Sequence, residues 1–242
     1  LRNSKFVDKS LLIAEVNSAM MTENRFLCVT RARRFGKSVA VKMLNAYYDK
    51  SCDSQNLFQG LAISNDKDFE KHLNRYPVLY LDMTDFVTKY GNDEQLVEHI
   101  KRDICEELLE LYEGVVMKPN DDLMDLLVSI VNQTGEKFVC LIDEWDALCR
   151  EGQEKQMDEY VNLLRRLFKG SMSEYVFACS YMTGILPIKR YNTQSALNNF
   201  DEYTMLSPAQ LAPYFGFTEN EVEQLCRSEE RRVGKECRSR WS

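Results

Sequence analysis

Apolar residues fall in runs that are filled at every position, not at alternate ones. Arg25 to Thr30 reads RFLCVT, Phe138 to Ile142 reads FVCLI, and Tyr175 to Thr183 reads YVFACSYMT. Such runs suit strands covered on both faces. A further strand, Val78 to Asp82, follows Pro77, which occupies the position where a missing donor costs least. Glu202 to Leu206 supplies a last short strand.

Helical spacing fills the intervals between these strands. Leu11 to Met21 forms an apolar helical stretch with Ser10 placed to cap it, and a second helix follows Ser38. Asn92-Asp93 caps a helix reaching about Tyr112, with Leu96, Val97, Ile100, Ile104, Leu108 and Leu111 on one stripe. Asp122 to Val131 makes the next helix. Met157, Tyr160, Val161, Leu164, Leu167 and Phe168 mark another, ended by Gly170. Thr218 with Glu221 makes a capping-box pattern for a final helix reaching Cys226. Ser51 to Gly60 is polar and irregular, a connector. Strands alternating with helices, without an internal repeat, call for a parallel sheet covered on both faces. The expected fold is therefore a three-layer α/β domain with about five strands.

Two strand ends carry chemistry. After Thr30 the chain reads Arg31-Ala32-Arg33-Arg34-Phe35-Gly36-Lys37-Ser38, the second half of the phosphate-loop pattern G-x-x-x-x-G-K-[ST]. In that pattern (Walker A) backbone N–H groups cradle phosphates, the lysine reaches the outer ones, and the Ser hydroxyl holds Mg²⁺. The following helix adds its free N–H groups and positive dipole end. Arg33, Arg34, Phe35, Gly36, Lys37, Ser38 and Val39 are the candidate phosphate-wrapping residues. Arg31 stands where the first glycine belongs, and a G-K-S tripeptide alone also fits an ordinary helix cap.

The second strand end is Asp143-Glu144, which closes the run at Phe138 in the manner of a Walker B motif. The carboxyl ends of central parallel strands are where such sheets bind ligands. Two carboxylates there suit a Mg²⁺ shell, through Asp143, and a base or orienting group for an attacking water, through Glu144. A solvated strand end is the plainer reading of the pair, and its coincidence with G-K-S in one chain favours the P-loop NTPase.

TRARRFGKS, LIDEWDA and the stretch from Tyr181 to Cys226 together resemble the bacterial predicted AAA-ATPase-like family. The resemblance runs from FVDKS at Phe6 to about Cys226. It implies an additional-strand, AAA-like P-loop fold, with ATP and Mg²⁺ as cofactors. Members often carry a PD-(D/E)XK nuclease-like region downstream, which with a protein partner is an expected associate absent from this chain. In that family an arginine commonly replaces the first P-loop glycine, as Arg31 does; Ala32 departs from the usual proline. The resemblance makes Thr183 a candidate sensor of the γ-phosphate or attacking water, although a threonine there would equally just close the strand. Lys189 and Arg190 follow in a polar loop. Arg190 is a candidate cation for the transferring phosphoryl group in the manner of an arginine finger, and a solvated loop is the alternative. The resemblance places the segment around Asp8 and Lys9, which precedes the first strand, near the nucleotide base, while the residues themselves read as a solvated start to its helix.

Composition narrows the function classes. With 242 residues the chain is long enough for one large α/β domain with a substantial core, and 44% hydrophobic with 29% charged is ordinary for a soluble protein. A net charge of −7 and a pI near 5.1 argue against a general nucleic-acid binder, leaving room for a local basic patch. No apolar run reaches the roughly 18 residues of a membrane span, so a cytoplasmic location is expected. The eight cysteines show no C-x-x-C pair, and Cys28, Cys140 and Cys179 fall in buried strands, which suits a reducing compartment without a zinc site. His72 and His99 read as surface residues.

Residues 1–226 are expected to form the NTPase domain, truncated at its C-terminus. Residues 227–242, RSEERRVGKECRSRWS, turn abruptly basic and resemble a vector-derived tail, with a real basic tail for an acidic partner as the alternative. The leading function is Mg²⁺-dependent ATP hydrolysis. Its alternative is a nucleotide-dependent switch with little or no hydrolysis; phosphoryl transfer to a small substrate lacks a visible acceptor motif.

Overall fold

The computed structural model describes residues 6–91, 93–152, 154–188 and 197–227. Five strands, β1 (Phe26–Thr30), β2 (Val78–Asp82), β3 (Phe138–Asp143), β4 (Phe177–Gly184) and β5 (Asp201–Tyr203), form one sheet in the order β2-β3-β4-β1-β5, parallel throughout. Its helices are α1 (Leu12–Ala19), α2 (Lys37–Tyr48), the short α3 (Gln55–Phe58) and α4 (Phe69–His72), α5 (Met83–Tyr90) and α6 (Leu96–Leu111). They continue with α7 (Leu123–Thr134), α8 (Ala147–Arg150), α9 (Glu154–Phe168) and α10 (Ser171–Val176). A helical turn over 219–227 ends the described chain.

The period-2 alternation of a strand is hidden in the sequence because both faces are apolar. Phe26, Cys28, Leu81, Cys140 and Ile142 point into a core shared with α5 to α9. Leu27, Val29, Val139 and Leu141 point into the opposite core, shared with α1 and α2. Each core excludes water over a full sheet face, so both layers are required to cover the strands. β4 lies between β1 and β3, which is the inserted strand expected of the additional-strand class. It separates the ends of β1 and β3 by one strand.

Several local expectations are corrected. Ser10 does not cap α1; its hydroxyl accepts the Ile63 N–H at 3.1 Å, and α1 begins without a side-chain cap. Asp8 is exposed ahead of α1 as expected and Lys9 is partly buried, but both side chains are engaged in contacts. Asp8 accepts the N–H groups of Ser10 and Ala62, while Lys9 bridges to Glu221 at 2.6 Å and to the Pro213 carbonyl. α5, unmarked in the sequence reading, starts directly from β2, because the last strand residue Asp82 caps it by accepting the Thr84 N–H at 3.0 Å. The connector from Ser51 to Gly60 contains α3.

Tyr175 and Val176 belong to α10, so β4 starts at Phe177. Gly170, at φ 110°, turns the chain between α9 and α10, a backbone position that favours glycine. α6 begins at Leu96, with the Asp93 carboxylate accepting the Gln95 N–H, and Leu111 at its end is exposed. His72 is buried, its Nδ1 2.7 Å from the Tyr76 hydroxyl, and burial lowers its pKa. His99 is partly covered, stacked on Tyr90 and paired with Asp93. Cys28, Cys140 and Cys179 are buried free thiols, and burial pushes Cys179 up to about 12.

Candidate functional site

β1 delivers the chain to the Arg31–Gly36 loop, and α2 takes over at Lys37. Arg34 at φ 69° and Gly36 at φ 87° place two left-handed residues in that loop, a geometry that turns successive backbone N–H groups inward. Gly36 occupies the N-cap position of α2, and no side chain caps that end. The first N–H groups of a helix have no partner within it, so this end suits an anion. A side chain at Gly36 would meet no atom within 4 Å but would have to adopt the disfavoured φ.

Arg31 explains why the loop lacks its first glycine. Its side chain runs back into the protein, where Nη1 donates to the carbonyls of Thr30 (2.8 Å) and Tyr203 (2.6 Å). The guanidinium lies 5.2 Å from the Phe215 ring centroid, and burial lowers its pKa. The side chain therefore fastens the start of the loop to β5 and to the C-terminal segment. A second tie joins the same parts, the Gly216 N–H donating to the Phe35 carbonyl at 3.2 Å.

Lys37 is 4% exposed, and its ammonium lies 3.4 Å from the Ala32 carbonyl and 3.4 Å from Oε1 of Glu144. The loop lysine and the acidic end of β3 thus meet in one place. Asp143 is buried, and its Oδ1 accepts the Thr183 hydroxyl from β4 at 2.5 Å. The same hydroxyl oxygen accepts the Glu144 N–H at 3.4 Å. Glu144 itself sits at φ 53°, a conformation that costs a non-glycine residue roughly 1–2 kcal/mol. The kink is held by the next residue, since Trp145 donates its backbone N–H to the Thr183 carbonyl at 2.8 Å.

Beyond the kink, buried Asp146 accepts the N–H groups of Ile185 (3.2 Å) and Leu186 (2.9 Å). Trp145 and Asp146 press against Gly184 so closely that a Cβ there would sit 2.4 Å from Trp145 Cδ1 and 2.9 Å from Asp146 Oδ1. Arg150, at the end of α8, closes the cluster: its Nη2 is 2.5 Å from Glu144 Oε2 and its Nε 3.2 Å from Asp146 Oδ2.

Next to the loop lies a cavity of about 620 Å³, within the size range of small-ligand sites. Phe6, Val7, Phe35, Gly36, Val39 and Phe217 are among its lining residues. Val39 and Phe217 remain 67% and 62% exposed, apolar surface beside the Arg31–Gly36 loop. Among the described residues no group of three or more His, Cys, Asp or Glu side chains is arranged to hold a metal ion. A Mg²⁺ at this site would accordingly take one carboxylate and a hydroxyl, completing its shell with phosphate oxygens and water, as this ion commonly does.

Of the residues singled out from sequence, Lys37, Asp143, Glu144 and Thr183 come together around the ends of β3 and β4, and Ser38 and Val39 open α2 beside them. Arg33 and Arg34 are exposed on the loop. Thr183 is wholly buried, with its hydroxyl committed to Asp143. Lys189 and Arg190 lie outside the described residues, as does the basic tail beyond residue 227. Arg150, Asp146 and Gly184 were not legible as site residues. A helix-borne arginine and a strand-end glycine are commonplace in sequence; the arginine acquires meaning from the backbone kink at Glu144 and the glycine from the pairing of β3 with β4.

A family model described as AAA-ATPase_like, Predicted AAA-ATPase, matches residues 1–193 and so takes in β1 to β4, the loop and the acidic cluster. No curated protein matches the chain.

Proposed function

The chain belongs to the AAA-ATPase-like family of predicted AAA-ATPases, and on that premise we propose that it binds ATP with Mg²⁺ and hydrolyses it. The observation that carries this reading is the 3.4 Å approach of Lys37 Nζ to Glu144 Oε1, which joins the phosphate loop to the acidic strand end. Backbone N–H groups from Arg33 to Val39 would wrap the phosphates, with the uncapped start of α2 adding its positive dipole end. Lys37 would exchange its carboxylate partner for the outer phosphate oxygens. The base would lie in the cavity against Phe6, Phe35 and Phe217.

Ser38 and Asp143 would hold Mg²⁺, which supplies charge neutralisation on the β- and γ-phosphates. Thr183 acts through Asp143, because its hydroxyl fixes that carboxylate. Glu144 accepts a proton from the attacking water, the role that Asp143, buried and already hydrogen-bonded, is less free to take. Arg190 would add a cation from the same chain, which removes the strict need for an arginine from a neighbouring subunit. A protein partner or a nuclease-like region would then be the recipient of the nucleotide-driven change.

The test is calorimetry with ATP, with and without Mg²⁺, on the original protein, Asp143→Asn and Glu144→Gln, together with phosphate release. Asp143→Asn should weaken the Mg²⁺-dependent part of binding. Glu144→Gln should keep its ATP affinity and slow turnover by roughly 10²- to 10⁴-fold, the range for a positioned general base. Mg-ATP binding without turnover in the original protein would replace this reading by the nucleotide-dependent switch.

A further inference from the structure

The two oxygens of the Glu144 carboxylate have different partners. Oε1 faces Lys37 at 3.4 Å, and Oε2 faces Arg150 at 2.5 Å. Lys37 is the residue that incoming phosphates would draw away, whereas Arg150 faces a second carboxylate, fully buried Asp146, its Nε 3.2 Å from Oδ2 as an ion pair without a hydrogen bond. Asp146 is in turn fixed by the Ile185 and Leu186 N–H groups that follow β4. One partner is therefore exchangeable and the other is anchored to the sheet.

We propose that Arg150 is a positioning residue for hydrolysis: it clamps Oε2 of Glu144 so that departure of Lys37 to the phosphates frees Oε1, already aimed, for the attacking water. This rests on the hydrolase reading above. The water oxygen forms its bond to the γ-phosphorus as the bond from that phosphorus to the leaving ADP oxygen breaks. ADP departs with the electron pair, and the water proton passes to Oε1. The left-handed backbone at Glu144, fixed by the Trp145 N–H bond to the Thr183 carbonyl, sets the direction of the side chain toward both cations.

The experiment compares kcat, KM and Mg-ATP affinity for the original protein, Arg150→Ala, Arg150→Lys, Glu144→Gln and the double variant Arg150→Ala/Glu144→Gln. Misplacing a reacting group by about 1 Å costs about 10²-fold, so Arg150→Ala should lower kcat by about that factor with Mg-ATP affinity little changed. Arg150→Lys should recover part of the rate. In the Glu144→Gln background the Arg150 change should cost no further rate, because two residues acting as one unit do not add.

An Arg150→Ala rate equal to or above the original, or losses that multiply in the double variant, would overturn the clamp. If Arg150→Ala does not fold, Arg150→Lys in the two backgrounds makes the same comparison. An original protein that binds Mg-ATP without turnover overturns the hydrolase reading and this role with it. An original protein that turns over, with Arg150→Ala unaffected, overturns the Arg150 role alone.

Discussion

Thr183, near the end of β4, donates its hydroxyl hydrogen to Asp143, at the end of neighbouring β3, across 2.5 Å, and both residues are buried. A buried carboxylate needs such a donor, since a hydrogen bond to a charged group contributes about 1.5–3 kcal/mol and an unpaired charge costs more. Thr183→Val keeps the shape and removes the donor. It should lower unfolding stability by about 1.5–3 kcal/mol and weaken Mg²⁺-dependent nucleotide binding, whereas Thr183→Ser should restore both. Denaturant unfolding and a Mg²⁺ titration check the pair, and a valine variant indistinguishable from the original would show that Asp143 is held by something else.

Lys37→Ala separates binding from stability. Truncating one partner of a buried pair ordinarily costs about 3–5 kcal/mol by stranding the other charge. Here Glu144 keeps Arg150, so the stability loss should fall below that range while most ATP affinity disappears. Calorimetry and denaturant unfolding on one preparation measure both, and unchanged ATP binding would remove the phosphate-loop assignment.

Arg31→Gly restores the general phosphate-loop pattern and should nevertheless be harmful. The carbonyls of Thr30 and Tyr203 would lose their donor, for a loss of about 1–3 kcal/mol. The arginine side chain is directed away from the loop's interior, so nucleotide affinity should change far less than stability. Equal stability in the glycine variant would show that the tie to β5 is dispensable.

Acid stability should depend on Asp103. Burial opposes its ionisation, but hydrogen bonds from Lys89, Tyr90 and Arg102 outweigh that and bring its pKa from the ordinary 3.8 down to about 2. Because the folded value is the lower one, the contribution is complete above the ordinary carboxylate pKa and is lost as pH falls from about 4 through about 2. Asp103→Asn should flatten the decline across that window, as followed by unfolding at a series of pH values. A decline as steep as in the original protein would place the acid sensitivity elsewhere.

The sequence by itself determined the layered α/β architecture, because runs such as Phe138 to Ile142 are apolar at every position and only a sheet covered on both faces can bury them. It also marked the two candidate strand ends that the structure brings together, since Gly36-Lys37-Ser38 and Asp143-Glu144 are each runs of adjacent residues. Boundaries moved where a side chain, not periodicity, decided them. Asp82 starts α5 by capping it within one residue of β2, and Ser10 gives its hydroxyl to Ile63 instead of to α1.

Only the tertiary structure decided what Arg31, Thr183, Gly184 and Arg150 do. Arg31, Thr183 and Gly184 act across elements distant in sequence, Arg31 on Tyr203, Thr183 on Asp143 and Gly184 under Trp145, whereas Arg150 reaches back four and six residues to Asp146 and Glu144 around the kink at Glu144. A hydrogen bond or ion pair depends on distances of a few tenths of an ångström. For Thr183 and Gly184 those distances are set by the pairing of β4 with β3, for Arg31 by the pairing of β1 with β5, and for Arg150 by the backbone kink that follows β3.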